Sequence, residues 1–203
     1  MSKSNRFAMA ALTGLLALAP AFAQSTGTSG SMGSSKSTKT TSTTATSTSK
    51  VSATDTRFIK EAAMGGMEEV QLGQLAVQKA SNGDVKSFGQ RMVDDHTKAN
   101  SQLQQIASQK GVTVASKLSA PKQKDVDKLS KLNGAAFDRS YMSMMVKDHV
   151  KDVSDFQKAS KNAKDSDVKS FASATLPTLQ DHLKMAKDIS SALNKKKSSS
   201  PHH

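Results

Sequence analysis

Apolar side chains recur at intervals of three and four residues along most of the chain, which is the period of helices that bury one face. Four long segments share this pattern, and their apolar positions begin near residues 58, 88, 137 and 171. The first two segments meet at the turn-forming sequence around Gly83. There the pattern predicts Gly83 as the C-cap of the first helix and Asp84 as the N-cap of the second, which ends near Lys110 and Gly111.

The connection between the second and third long helices, residues 111–134, contains a short additional helix. Pro121 favours a helix start at the residues just before it, and Asn133 with Gly134 predicts its end. The fourth long helix contains Pro177, which predicts either a kink or a fresh helix start. The chain is therefore expected to form four long helices and one short one.

The length of this connection indicates how the long helices are arranged. A helix of about 27 residues is about 40 Å long, and about 24 residues, part extended and part helical, can cross that distance. The second and third long helices can therefore run parallel as neighbours, joined by one long crossover. We predict an all-α fold, a ferritin-like four-helix bundle with a long crossover containing a short extra helix.

The N-terminus has the features of a signal peptide. Basic residues precede an apolar stretch from Phe7 to Leu18, which is too short to span a membrane comfortably. The small residues Ala21 and Ala23 form an A-x-A cleavage motif. We expect residues 1–23 to be removed after Ala23 and the mature protein to be exported to a bacterial periplasm.

Composition divides the rest of the chain into three parts. Residues 24–52 are mostly Ser, Thr and Gly and predict a disordered tether, residues 53–194 predict the bundle domain, and residues 195–203 predict a disordered basic tail.

The chain has no cysteine, which excludes disulfides and thiolate metal sites. Its net charge of +12 comes largely from the two ends. We expect no nucleic acid partner, and weak contact of the basic tails with an anionic membrane or cell-wall polymer.

Each long helix carries one polar residue near the middle of its apolar face. These residues are Glu69, His96, His149 and His182. Counted from the hairpin turns, the first two lie at the same height, and the last two differ by about 4.5 Å of helical rise. The four side chains are therefore predicted to approach one layer of the bundle.

Four stretches of the chain resemble the motifs of the domain-of-unknown-function 4142 family, over roughly residues 55–193. They read FIKEAAMGGMEEVQLGQLA, VKSFGQRMVDDHTKAN, FDRSYMSMMVKDHV and LPTLQDHLKMA. The resemblance implies an exported bacterial helical domain grouped with the ferritin-like fold. It implies no biochemical activity.

The residues argue against the di-iron chemistry of many ferritin-like bundles. A di-iron centre takes Glu from two helices and Glu-x-x-His from two others, whereas every Glu of this chain lies on the first helix. An aspartate directly precedes each histidine, but adjacent residues point about 100° apart around a helix. These aspartates, expected to flank and orient the histidines, are Asp95, Asp148 and Asp181. We therefore expect no oxidase activity and no other enzyme activity.

The polar layer has two interpretations. Three imidazoles and one carboxylate suit a single transition-metal ion, with Cu, Zn, Ni and Fe as candidates, and the ligands would be Glu69, His96, His149 and His182. Alternatively, the same side chains satisfy one another by hydrogen bonds without a metal and fix the helix register. The leading prediction is a non-catalytic exported protein acting in envelope stress or interaction. The alternative is a periplasmic metal-binding protein.

Overall fold

The computed structural model describes residues 51–198, and within that range the chain forms five α-helices and no strand. The helices are α1 (Ala53–Lys79), α2 (Gly83–Gln109), α3 (Ala120–Ser130), α4 (Gly134–Asn162) and α5 (Ser166–Ser198). In this part of the chain, no helix has an apolar stretch long enough to cross a membrane. The predicted signal peptide lies outside the described residues. The last helix includes the first four residues of the predicted basic tail.

The four long helices form two antiparallel hairpins. α1 packs along α2, and α4 packs along α5. Between the hairpins, α1 contacts α4 and α2 contacts α5, which places α2 and α4 diagonally opposite each other. The all-α four-helix bundle with a long crossover and a short extra helix is confirmed. The prediction that α2 and α4 are neighbours is wrong, because the two hairpins dock through the pairs α1–α4 and α2–α5 instead.

α2 ends in a left-handed turn at Gly111, where φ is 65°. The N–H of Gly111 donates to the carbonyl of Ser108 at 3.1 Å, and the N–H of Val112 donates to that of Ala107 at 2.8 Å. This pair of bonds satisfies carbonyls that the helix end leaves open, and glycine adopts the required φ without steric cost. The predicted end of α2 near this residue is confirmed.

The other predicted caps differ from the structure. The side chain of Asn82 accepts hydrogen bonds from the N–H groups two and three residues ahead, at 2.8 and 3.2 Å. Asn82 therefore caps α2 in place of Asp84, and Gly83 is the first residue of α2, not the cap of α1. Similarly, Asn133 and Gly134 begin α4 and do not end α3. A short amide side chain is as good an N-cap as a carboxylate, so the position in the turn decides between them.

α5 runs unbroken through Pro177, so the predicted alternative of a fresh helix start there is wrong. Proline has no N–H to donate to the carbonyl four residues earlier, and its presence in a helix interior costs about 3 kcal/mol. Phe171 and Leu179, on either side of it, are both buried in the core. Burial of these apolar side chains offsets the lost hydrogen bond.

Two buried aspartates join the hairpins at opposite ends of the bundle. Asp55, at the start of α1, accepts hydrogen bonds from the backbone N–H groups of Lys164 and Asp165 at 3.0 and 2.9 Å. Asp138, at the start of α4, accepts from the N–H of Ser81 at 3.0 Å and from its hydroxyl at 2.6 Å. Each hairpin therefore contributes an aspartate that binds the backbone of the other hairpin's turn. These contacts set the relative height of α1 and α4.

α1 and α2 approach each other closely at a pair of glycines. A Cβ atom on Gly73 would lie 2.7 Å from the carbonyl oxygen of Gly89, and one on Gly89 would lie 2.6 Å from the Cβ of Ala76. Side chains at either glycine would therefore force the two helices apart. The close approach lies one helical turn from Glu69 and brings that residue within reach of α2.

Candidate metal centre

The structure brings all four predicted polar side chains together. Glu69 of α1, His96 of α2, His149 of α4 and His182 of α5 are each at most 6% exposed. One carboxylate oxygen of Glu69 lies 3.0 Å from Nδ1 of His96, and the other lies 3.5 Å from Nδ1 of His149. The centroids of the three imidazole rings are 5.4 to 5.8 Å apart. One polar residue from each long helix thus lies in a single buried cluster.

One nitrogen of each ring is engaged by the surrounding protein. Nδ1 of His96 pairs with the carboxylate described above, and Nδ1 of His149 donates to the carbonyl oxygen of Met145 at 3.0 Å. Nε2 of His182 donates to the carboxylate of Asp95 at 2.9 Å. A carboxylate or carbonyl that holds one ring nitrogen in this way is typical of histidines that bind a metal through the other.

The second nitrogen of each ring is buried and has no hydrogen-bond partner among the described residues. These atoms are His96 Nε2, His149 Nε2 and His182 Nδ1. The three histidines offer ring nitrogens that all lie within 4.8 Å of one another. A single ion about 2.1 Å from three nitrogens in a tetrahedral site holds them about 3.4 Å apart, so the rings are close to the spacing that such a site needs. Because the other nitrogens are engaged, the unpaired ones are the available ligands.

The charges of the layer leave two rings neutral. Burial lowers the pKa of His149, and it lowers the pKa of His182 to about 4. Burial also lowers the pKa of His96, but the adjacent carboxylate of Glu69 outweighs it, and the net direction is upward. For Glu69, burial raises the pKa, whereas the histidines, His96 foremost, hold it at about 2. His149 and His182 are therefore in the unprotonated form that a metal requires.

Only one of the three predicted flanking aspartates holds a histidine. Asp95 contacts His182 on another helix, not its sequence neighbour His96, and it also pairs with Arg91. Asp181 is exposed, and among the described residues neither it nor Asp148 bonds to an imidazole. The structure therefore gives neither Asp148 nor Asp181 the expected orienting contact with a histidine.

Asp152 is a member of the cluster that sequence reasoning missed. Glu69, His149 and Asp152 offer ligand atoms within 4.8 Å of one another. Burial raises the pKa of Asp152 to about 9, with the charge of Glu69 adding to the effect. The signal was present in the sequence, because Asp152 lies three residues after His149 and therefore on the same helical face.

The family match agrees with the resemblance noted in the sequence. A family model described as "Domain of unknown function (DUF4142)" matches residues 40–189. A solved structure described as "Crystal structure of DUF305 fragment from Deinococcus radiodurans" is similar, with a TM-score of 0.62 and 13% sequence identity over 70% of this chain and 98% of that one. No curated protein matches the chain. At this level of identity the structural likeness supports the fold alone.

Proposed function

We propose that this chain, which belongs to the DUF4142 family, is an exported, non-catalytic protein that binds one transition-metal ion through His96, His149 and His182. The proposal depends on one observation: His96, His149 and His182, on three different helices, offer ring nitrogens within 4.8 Å of one another, and each ring has one buried nitrogen without a hydrogen-bond partner among the described residues. Leaving a buried polar group unpaired costs about 1–3 kcal/mol. Three such groups in one place are stabilised together by a cation that accepts all three lone pairs.

The metal-free interpretation is less consistent with this geometry. Glu69 engages one nitrogen of His96 and approaches one of His149, yet its Oε1 atom still has no hydrogen-bond partner among the described residues. The layer therefore does not satisfy itself. A nitrogen-rich set without thiolates suits Zn, Cu, Ni or Fe and disfavours Mg and Ca, which take oxygen ligands.

The compartment in this proposal follows from the N-terminal signal pattern, which lies outside the described residues. The prediction of a role in envelope stress or surface interaction stays a prediction, because nothing in the described residues favours one partner. Binding without catalysis is supported by the absence from the sequence of the Glu-x-x-His pairs that a di-iron centre takes.

Native mass spectrometry of the untagged protein tests metal binding and export together. The full-length chain is expressed in a bacterial host, and the periplasmic fraction is supplied with Zn²⁺. We expect the mass of residues 24–203 plus one bound ion. A chain carrying His202→Ala and His203→Ala controls for binding at the tail and should keep the ion. A processed chain that stays metal-free with both Zn²⁺ and Cu²⁺ contradicts metal binding, and an unprocessed cytoplasmic chain contradicts export.

A further inference from the structure

A groove between α1, α3 and α4 leads from the protein surface to the polar layer. Its volume is about 430 Å³, and its walls carry five carboxylates and three lysines. The carboxylates are those of Glu61, Glu68, Glu69, Asp148 and Asp152. Glu69 also belongs to the histidine layer, whereas none of the three layer histidines lines the groove. A cation that approaches along this groove therefore meets carboxylates before it meets imidazoles.

The inner end of the groove has the features of a binding position. Glu69 and Asp152 lie there, with their oxygens and a nitrogen of His149 within 4.8 Å of one another. Glu69, which lines the groove, is 3% exposed, and its Oε1 atom has no hydrogen-bond partner among the described residues. This unpaired buried atom distinguishes the position from an ordinary group of surface carboxylates, which water would satisfy.

The opposite side of Glu69 offers much less room. The cavity there, between the four long helices, has a volume of about 20 Å³ and is lined by His96, Asn100 and Asp152 among others. That volume holds about one water molecule. A divalent cation keeps several waters until protein ligands replace them, so the wider groove is the accessible path.

We propose that Glu69 and Asp152 capture a divalent cation at the inner end of the groove and pass it to the three histidines. The inference rests on the function proposed above, since it assigns a route to the same site. His149 is the residue that the two groups of possible ligands have in common. Any proton that Asp152 carries leaves to solvent through the groove as the cation binds. Carboxylate oxygens bind a hydrated cation readily, and imidazoles then hold it more tightly.

Stopped-flow measurement of Zn²⁺ uptake tests the route, with the His202→Ala, His203→Ala chain as the parent. Asp152→Asn removes a capturing oxygen and should slow uptake about tenfold, with one ion still bound at the end point. Gly65→Phe should slow uptake to a similar extent, because Gly65 lines the groove and a Cβ there meets no atom within 4 Å. The added ring therefore occupies the groove without displacing the helices.

Two matched variants control for charge and for size. Asp94→Asn makes the same change on an exposed part of α2, and Gln74→Phe adds the same ring to an exposed position of α1. Both should take up Zn²⁺ at the parent rate. Lys122→Gln should change the rate in the opposite direction, about two- to threefold faster, because Lys122 lies in the groove and pairs with Glu68.

The outcomes separate this inference from the proposed function. If Asp152→Asn and Gly65→Phe both bind one Zn²⁺ at the parent rate, the proposed route is wrong, whereas the proposed metal site is not contradicted. Slow uptake by Gly65→Phe alone overturns capture by the carboxylates. A parent chain that binds no Zn²⁺ at all overturns the proposed function, and the route with it.

Discussion

Replacing His149 with alanine will lower the affinity of the chain for Zn²⁺ by more than about 100-fold, since even losing a residue that only orients a ligand typically costs 10- to 100-fold. His149 is fully buried and supplies one of the three unpaired nitrogens. Its loss leaves two imidazoles, on α2 and α5, and a void where the third ring packed. Competition with a chromophoric chelator measures the affinity, in the His202→Ala, His203→Ala background.

Asp95→Asn provides a graded comparison for this prediction. That variant keeps all three imidazoles and weakens only the carboxylate that orients His182, so the expected loss of affinity is smaller, about tenfold. Both variants must be compared with the parent for stability in the presence of EDTA, because His149→Ala also removes the contact with the ring of Phe88. Parent-like Zn²⁺ affinity in a folded His149→Ala chain would exclude His149 as a ligand.

Asp138→Ala will lower the free energy of unfolding by about 3 kcal/mol, because it leaves several donors in the α1–α2 turn without their charged acceptor. The carboxylate of Asp138 accepts three hydrogen bonds from Ser81 and Asn82, at 2.6 to 3.0 Å. Asp138 itself is 1% exposed, so water replaces it poorly. Urea denaturation followed by helical circular dichroism measures the change.

Two variants define how specific this effect is. Asp138→Asn keeps one acceptor oxygen and should lose less stability than the alanine variant. Asp84→Ala removes an exposed aspartate from the first turn of α2 and should cost only about 0.5 kcal/mol, through the helix dipole. If Asp138→Ala lowers the free energy of unfolding by less than Asp84→Ala does, the contact of Asp138 with the α1–α2 turn does not hold the hairpins together. Because the contact sets the height of α4, Asp138→Ala should also weaken Zn²⁺ binding.

Much of the polar layer could be predicted from the sequence, because helical rise is constant. Distances counted from the two hairpin turns placed Glu69 opposite His96, and the structure finds them 3.0 Å apart. The parallel direction of α2 and α4 followed similarly from the length of the crossover. The crossover length does not predict which helices are neighbours, because a connection of the same length fits several ways of docking the two hairpins.

The details within the layer depend on side-chain geometry that a linear pattern does not contain. Asp95 bonds to His182 on another helix, and no spacing along one helix predicts a partner across the bundle. The unpaired ring nitrogens depend on side-chain rotamers in the same way. Asp152 is accessible to the sequence pattern, because it lies three residues after His149 on the same helical face. The N-cap of α2 differs from the prediction because Asn82 and Asp84 are both good N-cap residues. Only the conformation of the turn decides which of them caps the helix.

The three-histidine site is tested most directly by X-ray absorption of the Zn²⁺-loaded His202→Ala, His203→Ala chain at one ion per molecule. We expect a four-coordinate shell with nitrogen at about 2.0 Å and the multiple scattering of three imidazoles. The same measurement on His149→Ala should show fewer imidazoles. A first shell of oxygen alone, or an imidazole count that does not change in His149→Ala, would contradict metal binding by His96, His149 and His182.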